Sequence, residues 1–93
     1  MNQLTYTTED NTKLALKVYE GGGDPVVLIH GWMMSGDVYA GLAQDLERAG
    51  RRVIVPDLRG AGGSALSASD YSLETFASDI VGLLNHLNID QCD

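Results

Sequence analysis

The chain has 93 residues, 44% apolar and 20% charged, the balance of a foldable globular chain and not of a disordered one. Its formal net charge is −7 and its six lysines and arginines are scattered, which argues against nucleic acid or an anionic membrane surface as partner. The single cysteine, Cys92, excludes an internal disulfide and thiolate-rich metal sites, and no apolar run approaches the ~20 residues of a membrane-spanning helix.

The opening residues carry neither a basic segment nor an apolar stretch, so they do not read as a secretory signal, and a cytoplasmic location is the expectation. Alternation around Leu4 and Tyr6 predicts a strand over about 3–8. Leu14, Leu16 and Val18 alternate with Ala15, Lys17 and Tyr19 in a second strand, 13–20, and the turn-forming Glu9-Asp10-Asn11 between them makes a hairpin. Gly21-Gly22-Gly23-Asp24-Pro25 breaks the pattern. Then Val26-Val27-Leu28-Ile29-His30 has no polar face, the mark of a strand covered on both sides, here 26–30.

The period changes after Ser35, a candidate N-cap. Tyr39, Leu42, Ala43, Leu46 and Ala49 fall at helical spacing, predicting a helix over 37–49 that stops at Gly50. Arg52-Val53-Ile54-Val55-Pro56 is a second buried strand, 52–56. A glycine-rich loop follows, and Ser72 caps a last helix over 73–87 with Leu73, Phe76, Ala77, Ile80, Leu84 and Leu87 in one stripe. A β-hairpin followed by β-α-β-α, with the last two strands joined by a helical crossover, gives an α/β class and a mostly parallel central sheet in one domain, 1–93.

Several residues look chemically suggestive and have plainer readings. Gly60-Ala61-Gly62-Gly63-Ser64-Ala65 fits a loose dinucleotide pattern, but those glycines do not open a helix directly. Ser64 lacks the second flanking glycine of a nucleophile elbow, since Leu66 stands there. Asp79 and His86 lie seven residues apart on one helix, about 10 Å along its axis, too far for the carboxylate to orient the ring. Ser64 therefore reads as a loop residue bonding its own turn, and His86 as a solvated residue at a helix end. No third ligand joins His30 and His86, so no metal is expected.

His30-Gly31-Trp32 is the sharper signal. A glycine after a buried strand lets the backbone turn, so that the next amide, that of Trp32, points into a cavity, as the stabilisation of an acyl-transfer oxyanion requires. The Trp32 side chain with Met33 and Met34 would wall an apolar pocket, which accounts for bulky residues where a turn is usually polar.

Three segments in order resemble the α/β-hydrolase superfamily. Val26 to Trp32 is similar to its third strand and oxyanion turn, and Asp57-Leu58-Arg59-Gly60-Ala61-Gly62-Gly63-Ser64 matches an Asp-x-Arg-Gly-x-Gly-x-Ser loop. Tyr71 to Ile80 is similar to the opening of the helix before the nucleophile strand. His-Gly-Trp followed by Ser-Gly is similar to the esterase, cofactor-free haloperoxidase (perhydrolase) and epoxide-hydrolase branch, with Met33 where many of these have proline.

The resemblance implies the N-terminal part of such a fold, truncated before the nucleophile strand and so lacking nucleophile, triad acid and triad histidine. It implies an ester-like small-molecule substrate for the complete enzyme, no cofactor, and inactivity of the 93 residues alone. Epoxide hydrolase, dehalogenase and perhydrolase are the alternatives within the family, and a non-catalytic interaction module is the alternative outside it. A complementing C-terminal fragment, or self-association through an open sheet edge, is the expected partner chemistry.

Overall fold

Alternation in the second strand builds the centre of the sheet. A computed structural model describes residues 1–66 and 71–93. In it β2 (Lys13–Glu20) buries Leu14, Leu16 and Val18 on one face, as their period of two dictates. The chain reverses from β1 (Asn2–Thr7) into β2 at Asn11, whose φ of 66° is the left-handed turn conformation that asparagine tolerates. β1 and β2 pair antiparallel with Leu4 opposite Leu16.

After the glycine loop come β3 (Pro25–Val27), a 3-10 turn (Gly36–Tyr39) running into α1 (Ala40–Arg48), β4 (Arg52–Pro56) and α2 (Leu73–His86). The sheet order is β1-β2-β4-β3. β4 pairs antiparallel with β2 and parallel with β3, so the sheet is mixed, and the parallel pair is the one joined by the helical crossover. The two faces of the sheet carry separate cores. Leu16, Val18 and Ile54 pack with Leu83 and Ile89 around α2, while Tyr19, Val53 and Val55 pack with Ala43 around α1.

Besides one-residue shifts of β1 and of the helix ends, three expectations change, each for a physical reason. The strand expected over 26–30 pairs only to Val27, with one further bond from Leu28 N–H to the Ile54 carbonyl. In a parallel ladder the next donor would be residue 56, and Pro56 has no N–H, so Ile29 and His30 leave the ladder. The helix expected from 37 begins as a 3-10 turn, because Ser35 accepts the Asp37 amide at 3.3 Å while Gly36 N–H is drawn to the Asp57 carboxylate at 2.7 Å. The stripe expected on the last helix splits: Leu84 and Leu87 join the buried Leu83 in the core, but Leu73 is exposed and Ala77 with it. The first half of that stripe faces a groove instead of the sheet.

At the outer edge of β3, Asp93 N–H donates to the Pro25 carbonyl at 3.1 Å and Val27 N–H donates to the Asp93 carbonyl at 2.9 Å. That pattern is a parallel bridge. The next two groups along this edge, Val27 C=O and Ile29 N–H, have no partner among the described residues.

Candidate functional site

The ends of β3 and β4 open onto one groove of about 960 Å³, lined by residues 29–34, by residues 58–62 and by α2 residues including Phe76, Ile80 and Val81. His30, Gly31, Trp32, Met33 and Met34 are thus together at one wall. The lining is largely apolar. Trp32 and Met33 stand 83% and 88% exposed, high values for side chains of this size.

The turn between strand and helix is closed by Met34 N–H to the Gly31 carbonyl at 3.2 Å. Its left-handed residue is Met33, at φ 61°, and Gly31 has no positive φ. The sharp bend expected at Gly31 falls two residues later, on a side chain that strains to adopt it. A Cβ at Gly31 would meet only the Met34 Sδ, at 3.8 Å, an ordinary contact.

His30 is 5% exposed and fully engaged by backbone. Its Nδ1 lies 2.9 Å from the Gly31 carbonyl, and its Nε2 accepts from Leu58 N–H at 3.0 Å. The Gly31 carbonyl therefore has two partners, the imidazole and the Met34 amide. Because the peptide is planar and trans, fixing that carbonyl fixes the N–H of the same peptide unit, which belongs to Trp32 and points the opposite way. Trp32 N–H has no acceptor among the described residues.

The loop after β4 is held from within. Asp57 takes Gly36 N–H on one oxygen at 2.7 Å and Gly63 N–H on the other at 3.0 Å, tying the β3 and β4 loops together. Ser64 donates to the Asp57 carbonyl at 2.6 Å and accepts from Ala15 N–H at 2.9 Å. Both capacities of its hydroxyl are spent on scaffold. Asp79 is paired with Arg59, and His86 lies against Tyr6 in a tilted contact with ring centroids 5.2 Å apart, so Ser64, Asp79 and His86 form no triad.

Arg59 was not legible as a hub. Its side chain is 1% exposed and forks onto Asp79 at 2.7 and 2.8 Å, with Asp10 at 2.9 and 3.3 Å on the other side. One guanidinium thus joins the β1–β2 turn, the β4 loop and α2. Its hydrogen bond, with those of Thr8 and Thr12, holds the Asp10 carboxyl well below the usual carboxylate range. Its place in the Asp-x-Arg-Gly-x-Gly-x-Ser loop marks the position in the sequence, but not the two carboxylates that it joins. Among the described residues no group of His, Cys, Asp and Glu could hold a metal ion, and no helix is long and apolar enough to cross a membrane.

A sequence profile for the alpha/beta hydrolase fold matches residues 24–92. Over 83 residues the chain is 39% identical to non-heme chloroperoxidase CPO-A1 of Kitasatospora aureofaciens, covering 89% of this chain and 30% of that protein. Over 78 residues it is 37% identical to a soluble epoxide hydrolase of Corynebacterium sp. strain C12, covering 80% of this chain and 26% of that one. Its fold matches that of an esterase from Exiguobacterium antarcticum with a TM-score of 0.89 at 32% identity, covering 95% of this chain and 32% of the esterase. The chain thus spans about a quarter to a third of the length of these relatives.

Proposed function

The chain belongs to the α/β-hydrolase fold family, as its N-terminal portion, and from that premise we propose that it supplies the oxyanion-stabilising turn of a hydrolase acting on esters or related acyl substrates. The observation that carries this reading is the Gly31–Trp32 peptide. Its carbonyl is held by two donors, its N–H has no acceptor among the described residues, and Trp32 lines the groove. An N–H oriented before the substrate arrives costs no reorganisation when negative charge develops on a carbonyl oxygen. Trp32, Met33 and Met34 then shape the acyl site by their side chains.

In this proposal the nucleophile and its acid and base come from outside these residues, because Ser64 and Asp79 are committed to the scaffold and His86 lies against Tyr6, bonded to neither. The partner is the complementary portion of the same fold, docking a parallel strand on the outer edge of β3. The free Val27 C=O and Ile29 N–H, in step with the Asp93 bridge, support that edge as the docking line. Val26 and Leu28 face one core and Val27 the other, so both faces of β3 have the composition of an interior strand.

The test is complementation. The 93-residue chain is expressed with the C-terminal remainder of the Exiguobacterium esterase, and hydrolysis of p-nitrophenyl acetate is measured for each part and for the pair. Neither part alone should turn over, and the pair should. Trp32→Pro, which deletes the amide, should lower kcat of the pair roughly 10²-fold or more. Turnover by the lone chain that Ser64→Ala abolishes would overturn the proposal, as would an assembled Trp32→Pro pair with unchanged kcat.

A further inference from the structure

We infer that His30 is a positioning residue, held as the neutral imidazole with its proton on Nδ1, whose task is to set the Gly31–Trp32 peptide. The tautomer follows from its two partners. Leu58 N–H can only donate, so the Nε2 that it meets at 3.0 Å carries the lone pair. The Gly31 carbonyl can only accept, so the Nδ1 at 2.9 Å from it carries the proton. Both partners are main-chain groups with one role each, and no other assignment satisfies both.

The consequence is mechanical. Leu58 sits immediately after the residue that ties the two loops through its carboxylate, Asp57, so the ring is braced against a fixed point. From there it pulls on a carbonyl whose peptide plane includes the Trp32 amide. The imidazole is rigid, and at 5% exposure it is not in competition with solvent for either bond. A histidine is suited to this place because its neutral ring offers one donor and one acceptor, held in one plane and pointing in different directions. His30 itself touches no reacting atom in this arrangement.

The inference rests on the oxyanion reading for its purpose, but its geometry is tested separately. Long-range proton–nitrogen spectra of the imidazoles in the ¹⁵N-labelled chain, at a pH where histidine is neutral, report which nitrogen of His30 bears the proton. His86→Gln assigns the second ring. The expected result is a single Nδ1–H form. An Nε2–H form, or a mixture of tautomers, would overturn the inference.

Half-mimics supply the second readout, amide hydrogen exchange. A Gln side chain reaches the Nε2 position and an Asn side chain the Nδ1 position. His30→Ala should speed exchange of Leu58 N–H about tenfold relative to Val53 and Ile54 in β4, and shift the Trp32 amide resonance. His30→Gln should restore the protection at Leu58 alone, and His30→Asn the Trp32 resonance alone. If all variants speed Leu58, Val53 and Ile54 together and leave Trp32 unmoved, the ring is only packing, and the inference fails. These readings do not involve turnover. Failure of the complementation assay with intact His30 spectra would remove the oxyanion reading and leave the positioning role standing; the reverse pattern would do the opposite.

Discussion

Removing the carboxylate of Asp79 should cost the chain a large share of its stability. Arg59 is 1% exposed and Asp79 5%, and the two parallel bonds of 2.7 and 2.8 Å occupy Nε and one Nη of the guanidinium. Asp79→Ala leaves that cation buried without its main counter-charge, with Asp10, 41% exposed, on its other side. Breaking one partner of a buried pair costs about 3–5 kcal/mol, and the surviving Asp10 contact puts this case near the lower end, about 3. Even a complete domain of this size commands only roughly 5–14 kcal/mol in all. With a urea m-value near 1 kcal/mol/M, the midpoint should fall by about 3 M, or the chain should be unfolded without urea.

Replacing both partners by apolar residues, Arg59→Met with Asp79→Leu, should recover most of that loss, because no charge is then left buried. Circular dichroism against urea measures all three. A midpoint shift below about 0.5 M for Asp79→Ala at unchanged m-value would show that the pair does not hold the loop to α2. The acid limb gives an independent reading. Arg59 first, then Thr8 and Thr12, hold the Asp10 carboxyl below its ordinary value of 3.8, so the folded chain binds fewer protons than the unfolded chain in the window beneath it. Stability from this group is complete above about pH 4 and is lost as the pH falls towards the depressed value. Asp10→Asn should flatten that part of the acid unfolding curve.

Met33→Gly should stabilise the chain by about 1 kcal/mol in the same urea assay, since φ 61° strains a side chain that makes few contacts at 88% exposure. Ser64→Ala should destabilise by about 1–3 kcal/mol through the orphaned Ala15 amide, and should change turnover of a complemented enzyme only in step with that loss. Gly62→Ala should lower the midpoint further than a plain surface change, because φ 51° is left-handed and the added Cβ would sit 2.4 Å from the Asp57 Oδ2.

What the sequence made legible is what obeys a local rule. The period of two in Leu14, Leu16 and Val18 became a buried face, the unbroken Val53-Ile54-Val55 became the strand buried on both sides, and Ser72 caps α2 by accepting Thr75 N–H at 3.2 Å. Gly50, at φ 94°, ends α1 as a left-handed residue should. Less legible was whatever depends on a partner far along the chain. The early end of β3 is set by Pro56 across the sheet, 29 residues beyond Val27 (56 − 27), and no window around residue 27 contains that information. The left-handed residue of the turn falls on Met33 instead of Gly31, because the bond from Met34 to Gly31 and the grip of His30 on the same carbonyl decide where the bend occurs.

The polar residues of the β4 loop are the most instructive case, because each has a chemistry it does not use here. Asp57, Arg59 and Ser64 are an acid, a cation and a hydroxyl within eight residues, and a pattern search could make a catalytic cluster of them. In the fold each is consumed by backbone or by a buried counter-charge: Asp57 by two amides, Ser64 by a carbonyl and an amide, Arg59 by two carboxylates. These bonds join three elements at a single end of the sheet: the β3 turn through Gly36, the β2 strand through Ala15 and α2 through Asp79. The glycine-rich loop braces the β3 turn by spending its side chains inward. One wall of the groove is then left to the side chains of Trp32, Met33 and Met34, which make no hydrogen bond among the described residues. Polar loop and apolar turn thus exchange their usual places, for one mechanical reason.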